Sequence, residues 1–353
     1  GVAAEAGLKY AALSTLGGLL FLVGIGLLYA QYNSLNMAVI AERMQLSVLD
    51  IIAFVFFFSA LAMKCGAVPM HFWTPDSYAM APSAITAFLV VSSQASLYGL
   101  FRVCFTLYGG HVSPLTIGWI IIILGVLSMF VGVTMAIPQK DVKRLMAYHA
   151  VSQTGYMLLG VGVGLAALSS SCLSQSIGMT ALKGGLFHIM NHALYKGLLF
   201  LTAGVIMYRC GTRNLNQLGG LGHQMKWTMI FFMIGALAIA GIPPFNGFAS
   251  KLLIYESTFL FNPILAVIAM VVSILTLASF VKVFHSMFMG PCLPEYQDVR
   301  EAPTPMLIGM GILAVLVILF GIFPQQVIDT LVAPAATALV DYHGYISAVL
   351  GGV

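Results

Sequence analysis

The segment Phe187-His188-Ile189-Met190-Asn191-His192-Ala193-Leu194-Tyr195-Lys196 sets two imidazoles and an ammonium at i, i+4 and i+8. On a helix, residues at that spacing share one face. Histidine titrates near neutral pH, so a His-His-Lys row inside an apolar span has the chemistry of a proton relay. The same row also fits a seam of hydrogen-bonded histidines with no transport role. No carboxylate or cysteine joins the stripe, which argues against a metal site. His188 and His192 on one helix face cannot sandwich a haem iron. Two more lysines stand beside predicted breaks in apolar spans. Lys64 follows Phe54, Phe56, Phe57 and Phe58, which are expected to hold it dry. Lys251 follows Gly241-Ile242-Pro243-Pro244-Phe245-Asn246-Gly247 and is expected near a helix start, where the positive end of the helix dipole disfavours its charge. A lysine at mid-bilayer costs at least ~2.5–3.5 kcal/mol, so such residues mark ion paths rather than lipid-facing positions. Lys9, Lys226 and Lys282 lie near span ends, where snorkelling accounts for them.

The elements that must position these groups are membrane helices. Of the 353 residues, 60% are hydrophobic and 7% charged, and mean hydropathy is +0.99. A soluble domain cannot carry so few charges on its surface. Nine apolar spans are predicted: A, Leu8–Ala30; B, Val48–Ala67; C, Ser83–Phe105; D, Leu115–Ile137; E, Ala150–Leu168; F, Ile177–Tyr208; G, Thr228–Phe261; H, Ile264–Met289; and I, Met306–Ile322. Breaks fall after B, at Lys64–Asp76, and inside G, at Gly241–Gly247. Interrupted helices in two halves of a chain are a mark of inverted-repeat transporters. The stretch from Pro324 to Val353 is expected to form an interfacial segment or a partner-docking arm. Basic loop residues gather on one side, at Lys9, Lys140, Lys143, Arg144, Arg209, Arg213, Lys226 and Arg300, against Arg43 and Arg102 on the other. The positive-inside rule then places the N-terminus in the cytoplasm and the C-terminus on the outer side. The five scattered cysteines, with no CxxC pair, argue against an iron–sulfur cluster, a zinc site or a disulfide framework. No nucleotide motif and no basic block for nucleic acid occurs. The chain begins with Gly1 rather than Met, as a fragment would.

Four ordered motifs carry a family resemblance. Lys64–Arg102 (KCGAVPMHFWTPDSYAMAPSAITAFLVVSSQASLYGLFR) resembles the first broken-helix region of antiporter-like proton-pumping subunits. Those subunits occur in respiratory complex I, multisubunit sodium/proton antiporters and energy-converting membrane-bound hydrogenases. Asp141–Tyr156 (DVKRLMAYHAVSQTGY), Phe187–Leu221 (FHIMNHALYKGLLFLTAGVIMYRCGTRNLNQLGGL) and Gly241–Glu256 (GIPPFNGFASKLLIYE) resemble the others in order. The wording GTRNLNQLGGL and GIPPFNGF is nearer to the hydrogenase and antiporter branch. The resemblance implies an all-α, inverted-repeat membrane fold. Residues 1–107 would be the remnant of a first repeat, 108–290 the second, and 291–353 a last helix with its tail. Span A resembles the sixth helix of a fourteen-helix core, so five preceding helices are missing, including the one whose glutamate pairs with the lysine at Lys64. By resemblance Lys64 flanks the first broken helix, His188, His192 and Lys196 form the central relay, and Lys251 is the exit-side lysine. Gln94 stands where many relatives carry lysine; it cannot carry a proton itself but can hold a water wire. His149 and Lys183 are accessory candidates, although Lys183 lies off the relay face.

These observations lead to a proton- or sodium-translocating subunit of a redox-driven or antiport complex, without redox chemistry, cofactor or metal of its own. Its partners would be other membrane subunits, antiporter-like ones among them, in an energy-transducing prokaryotic membrane. Gln94 and the missing helices support an alternative: an inactive structural subunit that docks or fills the membrane arm.

Overall fold

The computed structural model describes residues 1–168 and 172–351. Among the described residues, fifteen α-helices follow one another: α1 (Val2–Tyr32), α2 (Met37–Arg43), α3 (Val48–Cys65), α4 (Trp73–Met80), α5 (Ser83–Arg102), α6 (Pro114–Ala136), α7 (Val142–Leu168), α8 (Cys172–Cys210), α9 (Lys226–Ala240), α10 (Asn246–Phe261), α11 (Pro263–Phe288), α12 (Thr304–Ile322), α13 (Pro324–Val327), α14 (Ala333–Val340) and α15 (Tyr342–Leu350). No strand occurs among the described residues. Among the described residues, eight helices are long and apolar enough to cross a membrane by themselves. The pair α9–α10 supplies a ninth, interrupted crossing, as the sequence predicts for span G. Span E starts earlier than its hydropathy indicates, because Asp141 accepts the amide of Arg144 at 3.0 Å and opens α7 at Val142. Lys143 is consequently helical and buried rather than a loop residue.

Both breaks end their first half-helix in the same way. Gly66 (φ 74°) closes α3 and Gly241 (φ 79°) closes α9, each in the left-handed region that a glycine enters without steric cost. The following amides return to the helix end, Ala67 N to Ala62 O at 3.0 Å and Ile242 N to Leu237 O at 3.0 Å. A cis X-Pro bond follows in each, at Val68-Pro69 and Pro243-Pro244.

Helix α7 is the spine, enclosed almost throughout by α6, α8 and α10. Small residues permit this approach, as is usual between membrane helices. A Cβ on Gly125 would meet Gly155 O at 2.8 Å, so the α6 and α7 backbones touch there. After α12 the chain crosses one end of the bundle. Ile328 and Val332 pack on Phe187 of α8, α14 reaches the end of α5, and α15 docks on α2, with Arg102 lying 4.6 Å over the Tyr345 ring. The expected interfacial arm is thus a strap of short helices across this end.

The opposite end carries the charge clusters. Lys9 pairs with Glu5 and Asp76, Arg144 with Asp76, and Arg213 with Asp141. Lys282, expected to snorkel, donates to the carbonyls of Ile137 (2.7 Å) and Gln139 (3.2 Å) beyond the end of α6.

Candidate functional site

Seen from the helices upward, the site is a row of polar side chains inside the spine. His188, His192, Lys196, Lys251 and His149 are all buried. His188 is the hub. Its Nδ1 lies 2.8 Å from Ser250 Oγ of α10, and its Nε2 lies 3.0 Å from Gln153 Oε1 of α7. Tyr195 OH donates to the same Gln153 oxygen at 3.3 Å. With Gln153 oriented so, a proton on Nε2 would leave Nδ1 to accept from Ser250, whose hydroxyl also lies 3.3 Å from Gly247 O. Lys196 Nζ donates to Met146 O at 2.6 Å and lies 5.6 Å over the Phe200 ring. His149, one turn further along α7, reaches Ser279 of α11 at 2.8 Å.

The structure places the three row members on one buried face but does not link them by direct bonds. Among the described residues, neither nitrogen of His192 has a partner, and the same holds for Gln153 Nε2, Asn191 Oδ1 and both side-chain polar atoms of Asn246. A dry orphan polar atom is costly, so such a cluster is a place for bound water.

Lys251 is the sixth residue of α10, one turn deeper than expected from its distance to the break. Its ammonium turns back to Ile239 O of α9 at 2.8 Å and to Ser273 Oγ of α11 at 3.1 Å, 4.5 Å above the Tyr156 ring. The electrostatic setting is therefore the carbonyl end of α9, which favours a cation, and not the amide end of α10 that sequence spacing indicated.

Lys64 is partly buried and lines a cavity of about 130 Å³ with Tyr10, Ser14, Ser92, Ser93 and Ser96. No carboxylate among the described residues lines it. Gln94 is buried beside it, with Nε2 3.3 Å from Ser93 Oγ and Oε1 unpartnered among the described residues. Ser83 of α5 lies against Gly204 of α8. Lys183 is partly buried and belongs to none of these contacts.

Gln153, Tyr156, Tyr195, Ser250 and Ser273 did not emerge as site residues from the sequence. His149, Gln153 and Tyr156 are spaced i, i+4, i+7, so the polar face of α7 was available as a signal. Ser250 and Ser273 carry no comparable pattern.

An interrupted-helix bundle with a buried lysine–histidine row is a polytopic membrane protein with its polar groups gathered inside the bundle. A family profile described as NADH:quinone oxidoreductase/Mrp antiporter, TM, matches residues 2–276, and the chain belongs to that family. It is 35% identical over 349 residues to a Na(+)/H(+) antiporter subunit of Alkalihalophilus pseudofirmus, covering 97% of this chain and 67% of that one. It is 32% identical to Hydrogenase-4 component B of Escherichia coli, covering 90% and 49% respectively. The chain thus spans about two thirds of the first relative's length and about half of the second's. Among solved structures, a chain of the Mrp complex from Dietzia sp. matches with TM-score 0.88 and 26% identity, over 99% of this chain and 70% of that one. A chain of the membrane-bound sulfane sulfur reductase, an archaeal respiratory membrane complex, matches with TM-score 0.79 and 34% identity, over 90% and 52%. The resemblance in the four motifs and the all-α membrane fold are both confirmed.

Proposed function

We propose that the chain is an ion-translocating subunit of a multisubunit membrane complex, moving protons or sodium through the row Lys64, His188, His192, Lys196 and Lys251. The observation that carries this reading is the pair of wholly buried ammoniums, Lys196 on α8 and Lys251 on α10, with no carboxylate of the described residues paired to either, on two helices that meet at the His188–Ser250 contact. A membrane protein retains such costly groups for function. Lys64 with its serine-lined cavity is the loading site, Gln94 and His149 support water between sites, and Lys251 is the exit. Residues 1–107, 108–290 and 291–353 serve as first-repeat remnant, second repeat and terminal strap. The basic end faces the cytoplasm, with the N-terminus there and the C-terminus outside. Partners are other membrane subunits, antiporter-like ones included, and the membrane is an energy-transducing prokaryotic one.

The deciding experiment reconstitutes the parent complex in vesicles with Lys196→Ala and, separately, Lys183→Ala. The ion gradient should collapse in the first and persist in the second, while the complex still assembles. Equal defects, or none, favour the structural-subunit alternative, for which Lys64, without an ion pair among the described residues, and the non-titrating Gln94 speak.

A further inference from the structure

A second cavity, of about 640 Å³, opens at the basic end of the bundle between α5, α8 and α12. Its charged lining is Lys143 and Arg213, with no carboxylate among the described residues. Asp141 touches the guanidinium from outside, at 2.8 Å from Nε. Lys143 donates to Ala81 O, and Arg213 donates to Ala79 O and, at 3.5 Å, to Met80 Sδ, which holds both cations at the mouth with N–H donors to spare among the described residues. Ser83 and Ala84 also line the opening. They lie in the first turn of α5, where helix geometry gives their amides no acceptor and no side chain caps them. The remaining wall is apolar and runs along Leu201, Met306, Gly309 and Met310 towards the exposed flank of α8 and α12.

We propose that this cavity holds an acidic phospholipid of the leaflet at the basic end. Its phosphate sits between Lys143, Arg213 and the start of α5, and one acyl chain lies in the α8–α12 groove. Charge complementarity selects an anion, and the apolar wall selects one with a hydrocarbon tail. Basic pockets between membrane helices are suited to such headgroups. Lys143, three residues from the Met146 carbonyl that holds Lys196, places the lipid against the same stretch of α7 without joining the row.

The test is native mass spectrometry of the delipidated parent complex, titrated with phosphatidylglycerol, with phosphatidylcholine and with inorganic phosphate. Wild type should retain phosphatidylglycerol in preference to phosphatidylcholine. Lys143→Met should weaken retention about fivefold, the weight of one interfacial cation. Gly309→Phe should abolish it, since a side chain there meets nothing within 4 Å and enters the groove. A photoactivatable acyl chain should label Met306 or Met310. Equal retention in Gly309→Phe, equal binding of phosphatidylcholine, competition by inorganic phosphate as strong as by lipid, or labelling only elsewhere would each overturn the proposal.

Discussion

His188 Nδ1 stands 2.8 Å from Ser250 Oγ, and Ser250 is the chain neighbour of Lys251. One short contact thus ties the row on α8 to the helix that carries Lys251, whose ammonium turns instead to Ile239 O and Ser273. Removal of the imidazole by His188→Ala should lower ion transport by roughly 10²-fold, the usual scale for a lost proton-transfer group. Ser250→Ala removes one neutral hydrogen bond of about 1 kcal/mol, so a drop of about fivefold is expected. Transport rates in reconstituted vesicles check both; a serine defect as deep as the histidine defect would contradict the hub assignment.

Lys251→Met should bring transport to background and change stability little, because Ile239 O and Ser273 lose a donor while a buried ammonium leaves the apolar interior. Lys251→Glu should rank between wild type and Met: it titrates, but its ionised form has no proton to offer the carbonyl end of α9. Transport and thermal unfolding of the complex in detergent give the ranking.

Lys64→Ala should lower transport and leave assembly intact. The side chain lines a small polar cavity and no ion pair holds it to this chain's described residues. Unchanged pumping with a fully assembled complex removes Lys64 from the path.

Gly155→Leu should destabilise the bundle by about 3 kcal/mol, the upper end for overpacking, since the new side chain meets the backbone of α6 rather than a movable side-chain tip. Gly26→Leu on the exposed face of α1, where nothing lies within 4 Å, serves as the neutral control. The yield of intact complex and its melting temperature distinguish the two.

The spans were legible because hydropathy and length alone determine a membrane helix. The breaks were legible because Gly66-Ala67-Val68-Pro69 and Gly241-Ile242-Pro243-Pro244 cannot continue one. The shared face of His188, His192 and Lys196 followed from spacing along a single helix. Their partners did not: Gln153, Ser250 and Ser273 belong to three other helices, and only packing decides which polar atom meets which. The setting of Lys251 was misjudged for the same reason. A long side chain reaches back past its own helix start, and sequence spacing reports the Cα position but not the ammonium. The short helices α13 to α15 escaped detection because their helicity depends on the bundle they cross.

That crossing segment has a consequence for biogenesis. Ile328 and Val332 rest on Phe187, the residue before the hub histidine, and they are synthesised after every helix they cover. A nascent chain that has completed α12 leaves the apolar patch around Phe187 without its cover. Docking of the strap is therefore a late maturation step, and a premature stop after Phe323 yields a bundle with Phe187 uncovered.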